Sequence, residues 1–229
     1  MEIYELSVTC QLFKTHHFSE NNELIGKFIN FSLAKNKELK EFHKANIYKH
    51  YVYQSLYPTE EDGFYKKGRV YIFRLRTLHE PLALKLSKQL KQKNDVFNVL
   101  SIERKKILGK RKHISELVTI TPLILTIEEE PWSIKEGLFN LQKHLQNNAE
   151  LKYHYFTNEN RKFAPFIKQI ELLNRKRIGV KYKGITLLGN KVRIQVNEDE
   201  ESQLLARTVI GAGLGQKNSA LGAGYVTYK

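Results

Sequence analysis

Residues 42–57 crowd together side chains that can move protons or carry charge: His43, Lys44, Tyr48, Lys49, His50, Tyr51, Tyr53 and Tyr57. Histidine, with an unperturbed pKa of about 6.5, can give or take a proton near neutral pH. Lysine can stabilise negative charge that develops in a transition state. Residue type alone does not choose among the chain's eight histidines. His16 and His17 form a pair after the first apolar segment, and His79, His113, His144 and His154 lie among polar neighbours. Cys10 is the only cysteine, which excludes disulfide scaffolds and cysteine zinc sites and fits a reducing compartment. No His-Glu-x-x-His occurs, and the acidic runs 128–130 and 198–201 read as solvated edges. Neither a metal nor a cofactor is expected.

A second chemical feature is the glycine-rich tail, where Gly211, Gly213, Gly215, Gly222 and Gly224 crowd one short stretch. No Gly-Lys-Ser/Thr closes it as in a P-loop. The dinucleotide fingerprint fails too, because Gln216 stands where a third glycine is needed. Glycines let a backbone turn through positive φ and approach another backbone closely, and Lys217, Asn218 and Ser219 add donors suited to phosphate oxygens. The plainer alternative is a tight helix-to-strand connection whose glycines serve packing.

Charge narrows the partner. The 229 residues carry 38 Lys and Arg against 24 Asp and Glu, a net charge of +14. Between 161 and 193 there are ten basic residues and one acid. Arg175, Lys176, Arg177, Lys181, Lys183, Lys191 and Arg193 read as a phosphate-contacting surface, with Arg177, Lys181 and Lys183 on one face of a strand. A solvated basic face with no ligand is the alternative. With 41% hydrophobic residues the chain can build a core and is no disordered polycation. No apolar run approaches the roughly 18 residues of a membrane span, and the first residues lack the pattern of a signal peptide. A cytoplasmic protein without membrane attachment, binding a polyanion, is expected.

These groups need elements to hold them. The spacing predicts a strand over 3–12, a helix over 20–35, strands from 51 and over 69–78, a helix from Pro81, and a strand over 96–108. That order, β-α-β-β-α-β, is the ferredoxin-like unit. It recurs with a strand over 117–127, a helix opened by a Ser133/Glu136 capping box and faced by Ile134, Leu138, Leu141 and Leu145, and strands over 166–173, 177–187 and 191–196. A helix over 199–209 and a strand over 224–228 complete it. The fold class is α+β: two tandem ferredoxin-like (RRM-like) domains, 1–112 and 113–229, the second ending in the glycine-rich loop. A single mixed α+β domain is the alternative.

The run Gly213-Leu214-Gly215-Gln216-Lys217-Asn218-Ser219, continued by Leu221-Gly222-Ala223-Gly224-Tyr225-Val226, resembles the C-terminal glycine-rich loop of the CRISPR-associated repeat-processing endoribonucleases of the RAMP superfamily. Gln216 stands where that family commonly has Glu, and Ala220 is one residue extra. Residues 187–194 resemble the family's hairpin before the last helix, and residues 42–57 its segment with a hydrophobic-His pair followed six residues later by Lys. The resemblance implies that His43 is the catalytic histidine and Lys49 its supporting cation. The family often adds a Tyr in the first helix, where this chain has Phe28-Ile29-Asn30-Phe31; Tyr48 or His50 would substitute. It further implies RNA contacts at Gly213, Gly215, Lys217, Asn218, Ser219, Gly222 and Gly224. The implied partner is CRISPR repeat RNA, with subunits of an interference complex as further partners, for a monomer or homodimer. The implied reaction is metal-independent: the RNA's own 2′-hydroxyl attacks the scissile phosphate, leaving a 2′,3′-cyclic phosphate and a 5′-hydroxyl. A non-catalytic RNA-binding subunit of the same superfamily is the competing reading.

Overall fold

The computed structural model describes residues 1–45, 47–91, 94–109 and 112–229, without the side chain of His43. The first half contains β1 (Ile3–Leu12), β2 (His16–His17), α1 (Phe18–Ala34), α2 (Lys37–Lys44), β3 (Tyr51–Tyr53), β4 (Phe64–Tyr65), β5 (Val70–Thr77), α3 (Glu80–Gln89) and β6 (Phe97–Ile107). The second contains β7 (Glu116–Thr119), β8 (Thr126–Ile127), β9 (Glu130–Pro131), a 3₁₀ turn (Ile134–Glu136), α4 (Leu138–Thr157), β10 (Ile167–Leu172), β11 (Ile178–Tyr182), β12 (Ile185–Gly189) and β13 (Val192–Val196). It ends with α5 (Glu200–Ala212), α6 (Asn218–Leu221) and β14 (Val226–Tyr228).

Strand alternation decides what each sheet presents. In β1 and β5, Leu6, Val8, Cys10, Tyr71, Phe73 and Leu75 are buried in one core with Ile25, Phe28 and Ile29 of α1 and Leu82 and Leu86 of α3. Each of these side chains contributes about 2 kcal/mol through burial. The intervening residues Glu5, Ser7, Arg74 and Arg76 point to the opposite face, paired in register as Glu5↔Arg76 and Ser7↔Arg74; at the end of this face Ile3 and Leu78 pack against α5. The first sheet has the order β3-β5-β1-β6 and the second β10-β13-β7-β14. In chain order both read second, third, first, fourth strand, fully antiparallel. Two tandem ferredoxin-like units are therefore present.

The differences from the sequence expectations have local causes. The strand expected over 117–127 stops at Thr119 before Pro122 and resumes only as β8. The Ser133/Glu136 capping box is present but opens the 3₁₀ turn, while α4 begins after Gly137, whose φ of 81° interrupts the helix. Ile134 consequently lies outside the core, 59% exposed. The strand expected over 177–187 is a hairpin, β11 and β12, turning at Lys183 and Gly184, both with positive φ. The helices α2 and α6 were not expected.

Candidate nucleic-acid interface and active site

Helix α2 starts at an Asn36 cap whose side chain accepts from the Leu39 N–H, and Leu39 anchors it in the first core. His43 lies on its last turn; its side chain lies outside the described residues. Lys49 folds back onto this turn. Its Nζ donates to the carbonyl of Phe42 and, at 2.5 Å, to that of Ala45, and lies 4.9 Å from the Phe42 ring centroid. An ammonium on the free carbonyls of a helix C-terminus is the favourable end for positive charge. Burial pulls the Lys49 pKa down. The fold thus brings Lys49 to the backbone beside His43, but engages its ammonium as a helix cap.

His50 is buried, with both ring nitrogens engaged. Its Nε2 is 3.0 Å from the Lys152 carbonyl, and its Nδ1 3.1 Å from Nε2 of His79. A carbonyl only accepts, so His50 carries its hydrogen on Nε2, and its Nδ1 accepts from His79 Nε2–H. Tyr48 packs edge-on against Tyr155 of α4, with centroids 5.1 Å apart. The two expected auxiliaries therefore sit where α4 meets the first sheet, and His50 offers no free nitrogen.

Burial pulls the His50 pKa down to about 4, against the raising effect of its hydrogen bond to Lys152. In the unfolded chain a histidine titrates near 6.5. Between these values the unfolded state binds the extra proton, so stability rises with pH across this window and falls on acidification. Going from pH 7 to pH 4 should cost about 3 kcal/mol at this residue. Urea titrations at pH 7.0 and 4.5 should show this slope in the wild type and a much smaller one in His50→Gln. An identical slope in the variant would refute it.

Lys152, 2% exposed, is the charged group that holds the tail. Its Nζ donates to the carbonyls of Gly213 at 2.6 Å and Gly215 at 2.7 Å, and to Asn218 Oδ1 at 2.7 Å. Asn218 Nδ2 donates onward to the carbonyls of Leu214 and Ala223. Burial pulls the Lys152 pKa down to about 7; the three acceptors require three N–H bonds, which only the ammonium supplies. The sequence carries a signal for it: Leu141, Leu145, Ala149 and Lys152 form one helical stripe, and a lysine in an apolar stripe needs a buried partner.

The loop glycines were expected on an RNA surface. Gly213, Gly215, Gly222, Gly224 and Asn218 are instead buried against protein. A Cβ on Gly222 would lie 2.3 Å from the Tyr53 carbonyl oxygen, and one on Gly224 1.9 Å from that of Leu214, both at positive φ. Close packing of backbone on backbone requires these glycines. Lys217 alone of the expected loop residues is exposed, and Ser219 is half-buried. Asn22 Nδ2 donates to the Leu221 carbonyl and the Tyr53 hydroxyl to the Asn22 carbonyl, so the loop is tied to α1 and β3.

The basic residues separate into groups. Arg175, Lys176, Arg177, Lys181 and Lys183 are exposed, yet Lys181 pairs with Glu20 of α1 at 2.9 Å. Lys183 lies in the hairpin turn, not on a strand face with Arg177 and Lys181. Arg193 lies between Glu171 at 2.8 Å and Glu116 at 3.4 Å. Lys191 lines a cleft of about 790 Å³ between the two halves, together with Arg74, Arg76, Gln54, Tyr57 and Tyr225. Sequence reasoning did not single out Arg74, Arg76 or Gln54; their alternation with the core residues of β5 and β3 is the signal that places them on the face away from the first core. Arg76 is fixed there by Glu5 at 2.8 Å, by the Val226 carbonyl at 2.7 Å and by the Tyr225 ring. Burial works against ionisation of Glu5, but Arg76 and Lys105 outweigh it and hold its carboxyl below the usual range. Arg74, with its side chain 42% exposed and 3.7 Å from Glu5, and Lys191 are left to meet a ligand. The cleft lies on the face of the first sheet that carries Arg74 and Arg76, whereas α2 packs with Leu39 in the core on the other face.

Among the described residues, no three His, Cys, Asp or Glu side chains converge as a metal-binding group, and no helix is long and apolar enough to cross a membrane.

A solved structure titled "An RAMP protein binding different RNA substrates" superposes with a TM-score of 0.77 at 15% identity, covering 99% of each chain. A CRISPR associated protein Cas6 superposes at 0.71 and 17% identity over 99% of each chain. The product of a Cas6-related gene from Pyrococcus furiosus superposes at 0.70 and 15% identity over 100% of this chain and 98% of that one. Residues 102–228 match the family "CRISPR associated protein Cas6, C-terminal", more than half of the chain, and the protein belongs to that family. No curated protein matches the sequence.

Proposed function

We propose that this protein is a metal-independent endoribonuclease that binds CRISPR repeat RNA and cuts the precursor within each repeat. The observation that carries the reading is the family membership over residues 102–228, and the Arg74–Lys191 cleft between the halves supports it. In this reading residues 1–112 carry the cutting group and residues 113–229 much of the grip. His43 transfers a proton in the attack of the 2′-hydroxyl or in the departure of the 5′-oxygen. Lys49 stabilises the phosphorane-like charge after exchanging its carbonyl partners for phosphate oxygens. Arg175, Lys176, Arg177, Lys191 and Lys217 hold the backbone, Lys181 and Arg193 join them by trading carboxylates for phosphates, and the glycine loop braces the cleft.

One observation favours a second reading, a non-catalytic RNA-binding subunit: the Lys49 ammonium is already used as a helix cap. Labelled repeat RNA incubated with the protein and EDTA separates the two. A discrete product ending in a 2′,3′-cyclic phosphate supports the enzyme, and a stable complex with uncut RNA supports the binder.

Either reading makes binding fall steeply with salt, because each neutralised phosphate releases counterions. Arg74→Ala and Lys191→Ala should each weaken binding and reduce the salt slope by about 1, read by filter binding between 50 and 300 mM KCl. Unchanged slopes would remove the cleft from the RNA surface.

A further inference from the structure

Gln54 follows β3 and pairs with β5, its N–H donating to the Arg74 carbonyl at 2.9 Å. It is 7% exposed and lines the cleft, and among the described residues its carboxamide has no hydrogen-bond partner. Its amide atoms stay open to the cleft, so a ligand bound there can take the place of water on both the donor and the acceptor. Its neighbours in the cleft are in contrast engaged: Asn22 bonds Leu221 and Ser55, and Arg76 bonds Glu5 and Val226.

The surroundings of this amide suit one kind of ligand. Tyr57 and Phe18, 62% and 53% exposed, line the same cleft and offer flat apolar faces in solvent. Exposed aromatic rings stack on unpaired bases. Arg74 and Lys191 supply charge for the intervening phosphates. A carboxamide presents one donor beside one acceptor, which on the Hoogsteen edge of a purine complements the N6 amino group and N7 of adenine and not the two acceptors of guanine, while stacking on the Tyr57 and Phe18 rings favours the larger purine over a pyrimidine.

Building on the proposed RNA-binding role, we infer that Gln54 is a specificity-determining residue that reads an unpaired adenine of the RNA in this cleft. Phosphate contacts on Arg74 and Lys191 give grip without sequence information, and Gln54 supplies the base preference. Reading needs no cleavage, so it holds for both enzyme and binder.

Fluorescence anisotropy with 5′-labelled eight-residue oligo(A), oligo(C) and oligo(U) ribonucleotides tests it. Wild type should bind oligo(A) about tenfold more tightly than the other two, the discrimination of a modest bidentate pair. Gln54→Met, close in size, should erase the preference by weakening oligo(A) alone, while Gln54→Ala should do the same if it melts as the wild type does. Equal wild-type affinities, or a preference kept in both variants, would overturn the assignment of Gln54 while leaving RNA binding intact. Failure to bind any of the three and also repeat RNA would overturn the proposed function with it.

Discussion

His43→Ala should leave repeat RNA bound and uncut. Proton transfer by a positioned side chain is worth about 10²–10⁴ in rate, so the single-turnover rate constant should fall by that factor. The dissociation constant should change by less than about threefold, because phosphate contacts elsewhere dominate affinity. The histidine stands on the last turn of α2, next to the Phe42 carbonyl that Lys49 occupies. A bound phosphate beside this turn would compete for that lysine. RNA carrying a 2′-deoxy sugar at the cut should be inert with wild-type protein, since the nucleophile is then missing, and EDTA should change nothing. Full activity in His43→Ala would remove His43 from the site. Cleavage of the 2′-deoxy substrate would exclude the mechanism.

Lys152→Met should be among the most destabilising single substitutions in this chain. Methionine roughly matches the length of the lysine stem and removes the ammonium. The Gly213 and Gly215 carbonyls and Asn218 Oδ1 then lose a donor inside a packed loop. Leaving a buried acceptor without its donor costs about 1–3 kcal/mol, so three of them outweigh the relief of desolvating the ammonium and should lower the melting temperature of a chain this size by about 10 °C. Circular dichroism melting reads this directly. Because the same loop is tied to α1 and β3 through Asn22, repeat binding should weaken in the variant even well below its melting point. Wild-type melting would show that the three acceptors do not depend on the ammonium.

Most elements are legible from periodicity because each buries one face. The alternation of Leu6, Val8 and Cys10 in β1 and the 3.6-residue spacing of Leu82, Leu86 and Leu90 around α3 follow from local geometry alone. Helix α2 was not legible, since its eight residues are mostly charged and it is held by a cap and by the tertiary contact of Leu39. The hairpin of β11 and β12 is not visible in the sequence because the Lys183 turn keeps the alternation running through it.

The sequence by itself determined the two repeats of β-α-β-β-α-β, the excess of positive charge and the glycine pattern, because these depend on residue type and spacing along the chain. It also placed His43 and Lys49 in one segment by their likeness to a family. Tertiary structure alone decided what those groups face. Contacts between distant residues turn the glycines inward onto Lys152 and Asn218, occupy both nitrogens of His50, and pair Lys181 and Arg193 with carboxylates. They also leave Gln54 and Arg74 open on a cleft. Spacing along a chain fixes the face of an element on which a side chain stands; what lies opposite that face comes from residues tens to hundreds of positions away.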